Sequence, residues 1–154
     1  MRLLIVEDDE EKASRLEQFM FDTYRPSSTK VCRSFQSGLR AALSETFDLL
    51  LLDMTMTNYD RSLQDDGGRP HHFAGREILR QLAREDVHIP VIVVTQFGRF
   101  GEEAEAVTLS ELETELQSRF PDYLGTVHYR SNADNWKSQL ETFIGHRFPK
   151  ERQG

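Results

Sequence analysis

Four short runs of this 154-residue chain end in side chains that could work together. The run "RLLIV" closes on Glu7-Asp8-Asp9, and "FDLLLL" closes on Asp53. "IPVIVV" closes on Thr95, and "LGTVHY" is followed by Arg130. Carboxylates gathered at neighbouring chain ends repel one another, so either some take up protons or a cation sits among them. All-oxygen ligation suits a hard ion, and a small number of protein ligands suits Mg²⁺ with its retained waters. A fixed carboxylate can also attack phosphorus and become an aspartyl phosphate. A hydroxyl such as Thr95 and a cation such as Arg130 would then hold the phosphoryl oxygens.

That chemistry needs a scaffold that brings the run ends together. Leu49–Leu52 is apolar without alternation, the pattern of a strand buried on both faces. Residues 2–6, 30–34, 89–95 and 124–129 read as further strands. Helices are expected over 10–23, 36–46, the stretch "AGREILRQLARE" and 134–147. Another follows Ser110 and Glu113, which have capping-box spacing, with Leu112, Leu116 and Phe120 as its apolar stripe. Strands alternating with helices predict an α/β fold, a doubly wound parallel sheet of five strands with helices on both faces. In the order 2-1-3-4-5, strands one and three are neighbours, and Glu7, Asp8 and Asp53 share the crevice at the carboxyl edge of the sheet. The long connections at 54–73 and 96–108 leave from that same edge, the second read as a loop with room for a short helix.

Length favours a single domain over 1–154, large enough to fold without staples. Its lone cysteine, Cys32, excludes an internal disulfide and fits a strand core in a reducing, cytoplasmic setting. No stretch approaches a membrane span. The net charge of −7 argues against a nucleic-acid partner. Taken alone, "EDDEEK" is also what the first turn of a helix looks like, with acids placed for its dipole. His71-His72 read as solvated loop residues rather than zinc ligands, and Phe97 and Phe100 as packing anchors.

Together "LLIVEDD", "DLLLLDM" and "PVIVVT" resemble the response-regulator receiver domain, in order and spacing over nearly the whole chain. The resemblance implies a flavodoxin-like fold and Asp53 as phosphoacceptor. It also implies a Mg²⁺ or Mn²⁺ site formed by Glu7, Asp8, Asp53 and the backbone carbonyl of Thr55, with Thr95 touching the phosphoryl group. The partners implied are a histidine kinase or other phosphodonor protein and a downstream protein, and a homodimer is compatible with this reading. The chain departs from the family in four ways. It has no Lys at the end of the fifth strand, in "VHYRSNADNW", where Arg130 is the nearest substitute and His128 or Tyr129 the aromatic. Thr57 stands in place of a Pro, Gln96 in place of a small residue, and both long connections exceed the usual length. The main expectation is therefore a standalone signalling switch rather than an enzyme acting on others. The alternative is a degenerate receiver that serves as a phosphorylation-independent interaction module. A weaker one is an Asp-nucleophile phosphohydrolase, which would want a second Asp where Thr55 stands.

Overall fold

The computed structural model describes residues 1–56, 73–96, 99–100 and 107–148. Five strands form one parallel sheet: β1 (Arg2–Val6), β2 (Ser28–Cys32), β3 (Leu49–Leu52), β4 (Val91–Thr95) and β7 (Tyr123–His128). Their order is β2-β1-β3-β4-β7, the expected 2-1-3-4-5 arrangement with the last strand numbered seven. Five helices connect or flank them: α1 (Glu10–Tyr24), α2 (Phe35–Ser44), α3 (Ala74–Arg84), α4 (Leu109–Arg119) and α5 (Asn135–Gly145). Two short strands, β5 (Arg99–Phe100) and β6 (Val107–Thr108), pair antiparallel. These four residues are strand within the segment read as a loop or short helix; two extended pieces meeting in register satisfy backbone groups that would otherwise be left to water.

The apolar runs do not alternate because both faces of the sheet are covered. Leu4, Val6, Leu50, Leu52, Val91 and Val93 pack with α2, α3 and α4. Leu3, Ile5, Leu49, Leu51, Ile92 and Val94 point the other way, toward α1 and α5. Side chains alternate in direction along a strand, so each face receives every second residue. On the α1–α5 side, Trp136 is fully buried and meets Phe19 edge-on and Tyr129 at a tilt, with centroids 5.5 and 5.3 Å away.

Local signals set the boundaries. β2 begins at Ser28, two residues before the expected start, because its pairing with β1 begins at Arg2–Ser28. The α4 capping box uses Thr108 and Glu111, not Ser110 and Glu113. Both frames exist in the sequence, but an N-cap needs extended backbone, and Thr108 has it as the last residue of β6. No helix among the described residues is long and apolar enough to cross a membrane. The segments 57–72, 97–98 and 101–106, with His71, His72 and Phe97, lie outside the described residues.

Candidate functional site

Parallel registration brings the run ends together. Val6 pairs with Leu52 across β1 and β3, so Glu7 and Asp53 are the next residues on adjacent strands. The Asp53 N–H donates to the Val6 carbonyl at 3.0 Å, and the Glu7 N–H donates to that of Cys32 at 2.9 Å. Thr95 pairs with His128, and the N–H of Tyr129 donates to the Thr95 carbonyl at 2.8 Å. Carboxylate oxygens of Glu7, Asp8 and Asp53 lie within 4.8 Å of one another. Glu7, Asp53 and Thr95 are buried, Asp8 is half-buried, and Thr55 is half-buried in the turn after β3.

The third acid of the first run has a different task. Asp9 caps α1, its side chain accepting from the Lys12 N–H at 2.9 Å. The helix-start reading is therefore right for Asp9, while Glu7 and Asp8 face the pocket.

A residue not singled out from the sequence completes the cluster. Lys12, in the first turn of α1, is only 2% exposed. Its Nζ donates to the Val94 carbonyl at 2.7 Å. It lies 2.5 Å from Glu7 Oε2, an ion-pair contact without hydrogen-bond angles, and 3.4 Å from Asp53 Oδ1. The Tyr129 ring covers it at 5.6 Å. Two signals in the sequence point to it. Lys12 stands four residues before Leu16 on the inward stripe of the helix, and a cation in a first turn opposes the helix dipole. Arg130, by contrast, is exposed just beyond β7, and its guanidinium has no ion pair with a described residue. Gln96 is also exposed.

Burial dominates the electrostatics. It pushes Glu7 up to about 9, with the neighbouring Asp53 charge adding to the rise and Lys12 opposing it. Asp53 is also raised by burial, against the pull of Lys12 and the Met54 N–H, which donates to its Oδ1 at 2.8 Å. Burial works against the Lys12 ammonium, but Asp53 and Glu7 outweigh it and leave its pKa raised. At neutral pH the pocket thus keeps its ammonium and holds a proton on Glu7. The carboxylates offer only oxygen ligands, with one atom each of Glu7, Asp8 and Asp53 within 4.8 Å of one another, which fits a hard divalent cation. Asp53, oriented by Met54 N–H and Lys12 at a strand end, has the placement of a nucleophile.

The α3 start is fitted to the same strand end. The Gly75 N–H donates to the Met54 carbonyl at 3.0 Å, and a Cβ at Gly75 would stand 2.5 Å from the Asp53 carbonyl oxygen.

No family model matches the chain. Among curated proteins, it is 32% identical over 144 residues to the uncharacterized protein y4jR of Sinorhizobium fredii, covering 92% of this chain and 95% of that one. It is 31% identical over 143 residues to the Detocs response regulatory protein DtcB of Enterobacter cloacae, covering 91% and 95%. Among solved structures, a CheY-like receiver domain from Methanospirillum hungatei aligns with a TM-score of 0.61 at 16% identity, over 94% of this chain and 91% of that one. The response regulator TrrA of Thermotoga maritima, solved in complex with Mg²⁺ and beryllofluoride, aligns with a TM-score of 0.57 at 17% identity, over 92% and 97%. With the sheet order, the carboxylate cluster and these relatives in agreement, the chain belongs to the response-regulator receiver family.

Proposed function

We propose that this chain is a signalling switch that accepts a phosphoryl group on Asp53 with the help of Mg²⁺ and acts by changing the surface it offers to a partner. The observation that carries the reading is the convergence of Glu7, Asp8 and Asp53 within 4.8 Å, with a buried ammonium against Asp53. Phosphoryl transfer depends chiefly on positioning and charge, and this pocket supplies both. Asp8 and Asp53 would hold the metal, with Glu7 and the Thr55 carbonyl as further oxygens. The metal would neutralise the incoming phosphoryl charge. Thr95, buried at the adjacent strand end, would hold a phosphoryl oxygen through its hydroxyl. The 154 residues act as one receiver unit, loaded by a histidine kinase or another phosphodonor protein and read by a downstream protein. Phosphorylation adds close to two negative charges and new acceptor oxygens, enough to draw nearby donors into a second arrangement.

The test is incubation with acetyl phosphate and Mg²⁺, read by intact mass. A gain of one phosphoryl mass, absent in Asp53→Ala and abolished by chelator, is expected. A wild-type chain that gains no mass under these conditions, while retaining its fold, would leave the interaction-module reading in its place.

A further inference from the structure

We propose that Lys12, delivered by α1, is the cation that receives the phosphoryl group on Asp53, in the role the sequence leaves to Arg130. This rests on the phosphoacceptor reading above and names the residue that makes it work. Among the described residues, Lys12 is the cation paired with Asp53, and the pair is buried on both sides. Three oxygens surround the ammonium: the Val94 carbonyl, which accepts its hydrogen bond, and those of Glu7 and Asp53 in ion-pair contact. Val94 and Glu7 fix the nitrogen, which leaves the Asp53 contact as the one that changes during chemistry. In the transfer, an Asp53 oxygen attacks the phosphorus of an acyl phosphate. The new P–O bond forms as the donor's P–O bond breaks, and the electron pair leaves on the donor's carboxylate. Lys12 stays protonated throughout. As the carboxylate's single charge becomes a phosphoryl group of nearly two, its Nζ turns from Asp53 Oδ1 to a phosphoryl oxygen. Glu7 acts through Lys12 and is a positioning residue.

The experiment compares wild type, Lys12→Met and Arg130→Gln with acetyl phosphate and Mg²⁺, following the initial rate of mass gain. Circular dichroism checks each fold. Lys12→Met should slow the reaction about 100-fold, the cost of removing one preorganised donor at developing charge. Arg130→Gln should change it by no more than about fivefold, the reach of an exposed charge. A folded Lys12→Met that reacts at the wild-type rate overturns the proposal and leaves the phosphoacceptor reading standing. A wild type that does not react overturns both. A second measurement needs no variant: the Lys12 side-chain ¹⁵Nζ resonance of the wild type, titrated with Mg²⁺ and then beryllofluoride. A shift beyond that caused by Mg²⁺ alone is expected. An unmoved resonance overturns the proposal even where Lys12→Met fails to fold.

Discussion

Replacing Lys12 with methionine tests the physics of the pocket apart from its chemistry. The substitution keeps much of the stem's volume and deletes the charge. Glu7 and Asp53, 2% and 4% exposed, are then left without their cation. Removing one partner of a buried pair costs roughly 3–5 kcal/mol, because the other charge stays buried and uncompensated. Part of that is relieved here. Glu7 is already pushed up to about 9, so at pH 7 it carries a proton and only the Asp53 carboxylate is stranded. The lower end, about 3 kcal/mol, is expected near neutrality, and for a domain of this size it lowers Tm by roughly 6–12 °C. The pH dependence has a definite sign. Loss of Lys12 raises the folded-state pKa of both carboxyls further above their unfolded values. Each acid then contributes stability that is complete below its unfolded pKa and is lost as pH climbs toward the folded one. The deficit of Lys12→Met relative to wild type should therefore be smallest near pH 5 and widen by pH 8.5. Urea and thermal unfolding in chelator at both pH values measure it, and adding Asp53→Asn to Lys12→Met should recover most of the loss. A variant as stable as wild type at both pH values, or one whose deficit shrinks as pH rises, refutes the reasoning.

Three further outcomes follow from the geometry. Gly75→Ala puts a methyl 2.5 Å from the Asp53 carbonyl oxygen, so α3 or the strand end must shift; urea unfolding should show a loss of about 1–3 kcal/mol, and the Asp53 and Met54 amide resonances should move. Asp9→Ala removes the α1 cap and should cost about 1 kcal/mol in the same assay, whereas Asp9→Asn should cost much less. The exposed His88 imidazole lies 2.9 Å from both Asp122 and Asp86, and those contacts, Asp122 first, raise its pKa above 6.5; NMR titration should show this, with a fall in Asp122→Asn.

The sheet was legible because its strands are buried on both faces. Runs such as Leu49–Leu52 have no solvent side to dilute them, and the carboxylates at their ends stand out against that background. Strand order then follows, since an acid after β1 and an acid after β3 make chemical sense only as neighbours. Lys12 was hidden for the opposite reason. A charged residue in a helix looks solvated unless its place on the inward stripe is weighed against its charge, and its partner at β4 is a backbone carbonyl, which leaves no trace in side-chain patterning. Arg130 drew attention by chain position alone, and sequence position after a strand does not say which way a side chain turns. The α4 cap was misplaced by two residues because capping depends on the backbone before the helix, and two nearby frames offered suitable side chains.

The placement of the ammonium on α1 has a consequence for how the pocket is inherited. Glu7, Asp8 and Lys12 fall within six consecutive residues, and Asp9 between them sets the helix that aims the lysine. Three of the four ionisable groups therefore travel as one β-to-α turn, and what the rest of the sheet must supply to hold the ammonium is Asp53 and the main-chain oxygen of Val94. A main-chain oxygen survives any substitution that keeps the strand in place. On the Lys12 proposal the position after Tyr129 need not carry a cation, and Arg130 there is exposed. In a graft of residues 1–24 onto a related sheet, the electrostatic unit would move with the segment, whereas a transplanted β7 end would bring only the Tyr129 ring that covers the ammonium.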